Sequence, residues 1–296
     1  MSRSDYDSVL KFISGGCAGM IAKTAVAPID RVKFLFMGTI RKFNIRSMKL
    51  ELNRILLEEG FRSFWKGNLA QIIRVFPYSG LQFTVYARAE ALLRPYFPSD
   101  YYWNGIIKFM SGSLAGTTAV MLTYPFDVIR TRLAYQTTSR LYNGITHGFY
   151  TMLRDEGINS LFKGITPTIL GVGIYGGITF SIFFTLKNTF VDASKTEIFL
   201  FGSFAGLAGQ IISYPFDVVR KRMLAKGFIE QVSLFQSSFK DEHPNSVWSY
   251  LKMIYRYEGV KGLMKGVTLN FIKAPIMLGT VHLVNDIIHK HLNEEY

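Results

Sequence analysis

Three six-residue stretches hold the residues best placed to do chemistry: PIDRVK at 28–33, PFDVIR at 125–130 and PFDVVR at 215–220. Each sets a proline, an acid two residues on and a base three residues beyond the acid, which puts Asp30 with Lys33, Asp127 with Arg130 and Asp217 with Arg220 on one helical face. Each stretch also ends a long apolar run. A lone charge in hydrocarbon costs about 2.5–3.5 kcal/mol even on the lenient insertion scale, so the six charges need partners. They carry equal numbers of each sign. Converging helix ends would let each acid meet the base of another copy: Asp30 with Arg130, Asp127 with Arg220, Asp217 with Lys33. Desolvation offsets most of the Coulomb gain in a buried pair, so such a ring can break as well as form, and its chemistry is that of a gate. The alternative is that each acid and base cap their own helix end.

A second set of bases lies deeper in the apolar runs. Arg74, Gly171 and Lys273 occupy equivalent places, seven residues past a Lys-Gly glycine, and Lys23 stands five residues before the first motif proline, where Val120 and Gln210 are its counterparts. Lys23, Arg74 and Lys273 have no acid nearby in their own helices. Unpartnered bases at that depth ask for an anionic ligand; the competing reading is snorkelling of each side chain to a headgroup.

These residues must be held by membrane-spanning helices. The 296 residues are 49% apolar and 15% aromatic, with mean hydropathy +0.18, which suits helices with one lipid face and one wet face. The net charge of +13 fits an anionic substrate or membrane surface. Nucleic acid is not expected, because no recognition-helix, RNA-binding or zinc-finger pattern is present. An enzyme is not expected either: no nucleophile with a base, metal-ligand spacing or phosphate loop appears, and His147, His243, His282, His289 and His291 share no spacing. No cofactor is implied. Cys17 is the only cysteine and reads as a small packing residue. The N-terminal MSRSDYDSVL has no signal-peptide pattern, so any membrane or organelle address is internal.

The chain divides into three repeats, 1–100, 101–194 and 195–296. Gly60 and Gly157 follow their motif prolines by 32 residues and Gly259 by 44, a twelve-residue insertion that predicts a longer loop at about 226–247. Small-xxx-small rows, Gly15 with Gly19, Gly112 with Gly116 and Gly202 with Gly206, predict close helix packing, as do Gly80, Gly177 and Gly279 on the return helices. Spanning runs are expected at about 9–37, 69–93, 105–125 and beyond, 165–190, from 197, and to about 289, with a short amphipathic helix near 48–57. Prolines 28, 125 and 215 predict a kink or break in each odd helix. The expected fold is all-α: six transmembrane helices in three pseudo-threefold repeats around a central cavity.

At this point the chain resembles the mitochondrial carrier family over nearly its whole length. The family pattern P-x-[DE]-x-x-[KR] is met three times. The following [DE]-G and aromatic-basic-Gly elements are met at Glu59-Gly60 with Trp65-Lys66-Gly67 and at Glu156-Gly157 with Phe162-Lys163-Gly164; the third copy has Met264-Lys265-Gly266. The resemblance implies alternating access in the mitochondrial inner membrane, a matrix-side gate at the three motifs, cardiolipin at the Lys-Gly steps and function as a monomer. It also implies a second ring, [FY]-[DE]-x-x-[KR], at the cytoplasmic ends of the even helices. That ring is degraded here to Tyr86-Ala87 with Glu90, Phe183-Phe184 with Lys187, and Asn285-Asp286 with His289. Lys187 and Asp286 keep an expected sign. The expectation is weakened closure on that side, or apolar closure by Phe183 and Phe184, and a carrier resting open to the cytoplasm.

In that family the position of Arg74 and Lys273 matches substrate contact sites, and Gly171-Val172 resembles carriers of adenine-containing solutes. A glycine there leaves room for a flat ring on which Tyr175 can stack; plain helix packing is the other reading of Tyr175. Local stretches resemble the coenzyme A branch: AKTAVAPIDRVKFLF, RVFPYSGLQF, TYPFDVIRTRLAY and NFIKAPI. Adenine nucleotide, ATP-magnesium and thiamine pyrophosphate carriers share parts of them. The expected cargo is a phosphorylated adenine-containing anion, coenzyme A first; a carrier-like scaffold that transports nothing is the alternative of another class.

Overall fold

A computed structural model describes residues 3–38, 43–98, 100–137, 141–190, 193–229 and 246–294. Among them there is no strand. The elements are α1 (Arg3–Met37), α2 (Ile45–Arg54), α3 (Asn68–Leu93), α4 (Tyr101–Tyr135), α5 (Ile145–Asp155), α6 (Ile165–Thr189), α7 (Lys195–Ile229), α8 (Val247–Leu263) and α9 (Val267–Glu294). Long helices α1, α4 and α7 open the repeats, and α3, α6 and α9 return. The lengthened third loop lies almost entirely outside the described residues.

The three opening helices run unbroken for 35 residues each through Pro28, Pro125 and Pro215. The expected breaks are absent because neighbouring helices can re-satisfy the backbone groups that a proline frees in a spanning helix. Short helices α2 and α8 start on capping boxes, Asn44 with Ser47 and Ser246 with Ser249, which fix where the chain turns along the membrane.

Four helical segments, 102–135, 158–189, 196–225 and 267–288, are long and apolar enough to cross a membrane, and 28% or less of each apolar window is buried inside the protein. Such exposure is tolerable only in lipid. Charges dilute the other two long helices, Lys23, Asp30, Arg31 and Lys33 in α1 and Arg74, Arg88 and Glu90 in α3. These are the charges that build the site.

Packing joins neighbouring repeats most extensively: α3 lies along α4, α6 along α7, and α9 along α1, so the chain closes on itself. The buried apolar clusters lie at the motif end. One gathers Val32, Phe34, Val128, Ile129, Leu133 and Leu224, and the other Met37, Tyr214, Val218, Val219 and Ile254. The glycine rows are helix contacts only in part: Gly19 faces Val75, Gly202 faces Phe183 and Gly206 faces Tyr175, each at 3.8–3.9 Å from an added Cβ. A Cβ built on Gly15, Gly112, Gly116, Gly80, Gly177 or Gly279 would meet nothing within 4 Å; close approaches occur instead at Gly16 on Phe76 and at Gly209 on Thr179 and Tyr175.

Candidate functional site

The motif charges converge as the repeat spacing predicts, but not with threefold symmetry. Arg130 Nη2 donates to Asp30 Oδ2 at 2.6 Å and Arg220 Nη2 to Asp127 Oδ2 at 2.8 Å. The third pair is not formed. Lys33 Nζ donates instead to Asn270 Oδ1 on α9 at 2.7 Å and lies 5.1 Å from the Tyr214 ring centre, and Asp217 makes no ion pair among the described residues. A lysine offers one compact ammonium, satisfied by the nearest oxygen, whereas an arginine fork can span two acceptors.

The deeper bases require a second correction. Arg74 and Lys273 lack acids on their own helices, yet both pair across to the next repeat. Arg74 Nη1 lies 2.5 Å from Asp127 Oδ2, its Nε donates to Thr123 Oγ1 at 2.9 Å, and its guanidinium sits 5.0 Å from the Tyr78 ring centre. Lys273 Nζ lies 2.6 Å from Asp30 Oδ1. Sequence spacing within one helix cannot show this, because the partners meet at the α3–α4 and α9–α1 contacts. At the third equivalent place stands Gly171, whose added Cβ would lie 3.4 Å from Phe216 Cβ, one residue from the unpaired Asp217. Two gate acids are therefore held twice, and the third is not held at all.

Lys23 has no carboxylate within 4 Å among the described residues; its nearest partner is Met277 Sδ at 3.8 Å. Tyr175 is 43% exposed, with one ring edge toward Gly206 and Gly209 of α7, and Val172 packs against the apolar cluster beneath the site. The bases Lys23, Lys33, Arg74, Arg130, Arg220 and Lys273 thus face only Asp30, Asp127 and Asp217. The excess is positive and partly buried, the electrostatic signature of an anion site.

A layer beyond the ring was not anticipated from the sequence. Arg31 Nη2 meets Glu59 Oε2 at 2.6 Å, Arg132 Nη2 meets Glu156 Oε2 at 2.7 Å, and Arg222 Nη2 meets Glu258 Oε1 at 2.5 Å. The acids of the Glu-Gly pairs thus tie the short helices back to the gate helices. Arg132 and Arg222 stand two residues past their gate bases, which is a readable signal. Leu35 occupies that place in the first repeat, and Arg31, one turn earlier, replaces it.

The aromatic-basic-Gly steps serve the same layer. Lys66 Nζ is paired with Glu59 and donates to Thr137 O at 2.9 Å; Lys265 Nζ donates to Glu258 Oε2 at 2.6 Å. Trp65 Nε1 donates to Thr24 O at 2.9 Å, and Phe162 stacks on Tyr124, whose hydroxyl donates to Lys163 O at 3.0 Å. The Lys66 and Lys265 ammonium groups, expected as lipid contacts, are each paired with a carboxylate in this structure. Gly67 has φ +84°, and a Cβ there would lie 2.5 Å from the carbonyl oxygen of the gate base Arg130. Gly164 and Gly266 are also left-handed but less tightly placed, an added Cβ lying 3.2 Å from Tyr124 Oη and 3.3 Å from Lys33 Cγ.

At the opposite end no comparable ring is present among the described residues. Glu90 pairs with Arg94 of its own chain segment at 3.2 Å, and Asp286 makes no ion pair there; Lys187 lies in the last turn of α6, and the side chain of His289 is outside the described residues. Phe184 stacks on Phe180 and lies against Gly105 of α4, and Phe183 approaches Gly202 of α7. Both rings lie at helix contacts of this end.

A family described as "Mitochondrial carrier protein" matches this chain three times, over residues 4–97, 104–194 and 192–296. The chain belongs to the mitochondrial carrier family. It is a multi-pass transporter of the mitochondrial inner membrane and not an enzyme. Among relatives of this carrier, the mitochondrial coenzyme A transporter SLC25A42 of Xenopus tropicalis is 39% identical, with 93% of this chain and 83% of that protein covered. The protein of that name from Homo sapiens is 38% identical over 98% of this chain and 92% of its own. Mitochondrial carrier protein CoAc1 of Zea mays is 34% identical over 89% and 81%.

Proposed function

We propose that this carrier moves coenzyme A, or a closely related phosphorylated adenine-containing anion, by alternating access, with the ring at Asp30, Asp127 and Asp217 as its matrix gate. The observation that bears most weight is the excess of bases over acids at one depth of the cavity. Lys23, Arg74 and Lys273 offer a phosphate three charge-assisted donors, two of them held meanwhile by gate carboxylates. The exposed face of Tyr175, which is 43% exposed, suits a flat purine, and relatives whose names specify coenzyme A transport support the same cargo.

The ion pairs engaged at the motif end, between Asp30 and Arg130 and between Asp127 and Arg220, fit a carrier closed to the matrix and open to the cytoplasm. Cardiolipin at the steps around Gly67 and Gly164 would be held by backbone N–H groups at the starts of α3 and α6 rather than by the Lys66 amine, and one chain supplies every residue invoked. The test is a screen of the purified protein by thermal stabilisation and liposome uptake with coenzyme A, dephospho-coenzyme A, ADP, ATP and thiamine pyrophosphate. Stabilisation and uptake by coenzyme A are expected; response to amino or keto acids alone would overturn the reading.

A further inference from the structure

Three consecutive bases, Arg220, Lys221 and Arg222, stand at the end of the third motif. The outer two are matched to carboxylates, Arg220 to Asp127 at 2.8 Å and Arg222 to Glu258 at 2.5 Å. The middle one is not. Lys221 is 9% exposed, and among the described residues no carboxylate lies within 4 Å of its ammonium. Its Nζ donates to Thr131 Oγ1 at 2.9 Å and lies 4.0 Å from the ring centre of Phe34.

Those partners have a meaning in the repeat. Phe34 follows the gate base Lys33, Thr131 follows Arg130 and Lys221 follows Arg220, so the three are threefold equivalents that meet behind the gate. The Phe34 ring also receives Arg130, whose guanidinium lies 5.0 Å from its centre. Thr131 gives its own proton to Asp127 O at 2.8 Å, leaving its lone pairs for Lys221. An ammonium has three donors, and a hydroxyl with a ring face satisfies it less well than water or an anion does. Burying it in this way costs stability in the closed state. The contact also lasts only while the three gate helices converge; parting them withdraws both Phe34 and Thr131.

We propose that Lys221 is the phosphate-receiving residue of the matrix-open state. Closure stores its ammonium on Phe34 and Thr131; opening releases it into the matrix mouth, one residue beyond the gate, where it takes a phosphate group of the anion entering from or leaving to that side. A lysine suits this task, being a mobile point charge that binds phosphate without a fixed approach direction. The inference rests on the phosphorylated cargo proposed above and adds a site that the cavity bases do not include.

The test uses the full-length carrier in mitochondria, which present the cytoplasmic face, and in inverted submitochondrial particles, which present the matrix face. In Lys221→Met the half-saturating concentration for labelled coenzyme A should rise about tenfold in inverted particles and less than about twofold in mitochondria, with Lys221→Arg largely restoring it. Equal rises on both faces, or none, would overturn the inference and leave Lys221 a packing residue. A second measurement does not depend on the cargo. Inorganic pyrophosphate added to inverted particles should slow modification of Lys221 by an impermeant amine reagent. Should the wild type carry no coenzyme A, the cargo reading falls while protection by pyrophosphate still decides Lys221; no modification, or no protection, counts against it.

Discussion

Arg74 and Arg220 pair with the same oxygen of Asp127, at 2.5 Å and 2.8 Å from Oδ2. One belongs to the cavity and the other to the gate. An anion that draws Arg74 toward itself therefore leaves Asp127 with one base instead of two, and Lys273 on Asp30 repeats the arrangement. On the proposed site, substrate binding and gate release would compete for the same donors, which would build the affinity difference between states that alternating access needs into two side chains.

The gate is uneven, and its sectors should respond unequally. Arg130→Ala removes a partner from a carboxylate that is 5% exposed and should cost about 2 kcal/mol or more of closed-state stability. Lys33→Ala removes a hydrogen bond to Asn270 and the contact with the Tyr214 ring, but no ion pair within 4 Å among the described residues, and should cost about 1 kcal/mol. Thermal unfolding of the two variants in detergent gives the order; equal losses would mean that Lys33 and Asp217 pair in solution.

Arg31 should be the most sensitive base outside the gate. It is 1% exposed and donates to Ser63 O at 2.5 Å, Glu59 at 2.6 Å, Gln136 O at 2.9 Å and Ala134 O at 3.3 Å. Arg31→Ala strips Ala134 O of this donor and leaves Glu59, Ser63 O and Gln136 O to Lys66 alone, a loss of about 3 kcal/mol, and should sharply lower the yield of folded protein on purification. Restoring an arginine at the vacant repeat position through Leu35→Arg in the same chain should recover part of it. Wild-type yield from Arg31→Ala would show that the layer is dispensable.

What the sequence made legible divides along the same lines. Asp30, Arg130, Asp127 and Arg220 could be found because acid and base recur at one helical spacing three times over. The six long helices were readable from their apolar runs, although α1 and α3 are diluted by the charges they deliver. Arg31 was not, because Leu35 breaks the register that Arg132 and Arg222 keep. The partners of Arg74 and Lys273 were hidden for another reason: their acids lie on other helices, and within-helix spacing carries no information about a contact between repeats. Asn270 diverts Lys33 in the same way. The glycine rows were legible only in part, at Gly19, Gly202 and Gly206, since small residues permit close approach without requiring it.

Gly67→Ala should destabilise the protein by about 1–3 kcal/mol, because the backbone is left-handed there and the new methyl would strike Arg130 O. Gly80→Ala, where nothing lies within 4 Å, is the control and should leave the melting temperature nearly unchanged. A melting temperature unaffected by Gly67→Ala would contradict the contact between the step and the gate.

Acid should loosen the layer beyond the gate. Hydrogen bonds from Arg132 hold the Glu156 carboxyl below the ordinary glutamate value of 4.5. The folded protein binds that proton less readily than the unfolded chain, so the stabilisation is complete above 4.5 and is lost as pH falls through the lower folded value. Glu156→Gln should be less stable than the wild type at pH 7, and the gap should narrow between about pH 5 and about pH 3 in melting experiments. A gap independent of pH would remove Glu156 from the ionic layer.

Uptake of labelled coenzyme A by liposomes carrying wild type, Arg74→Ala or Lys273→Ala tests the cargo and its site together. The wild type should accumulate coenzyme A, and each variant should fall by about tenfold or more while remaining folded, the loss of one charge-assisted contact. Full uptake by both variants, or none by the wild type, would contradict a cavity built on these bases to carry that anion.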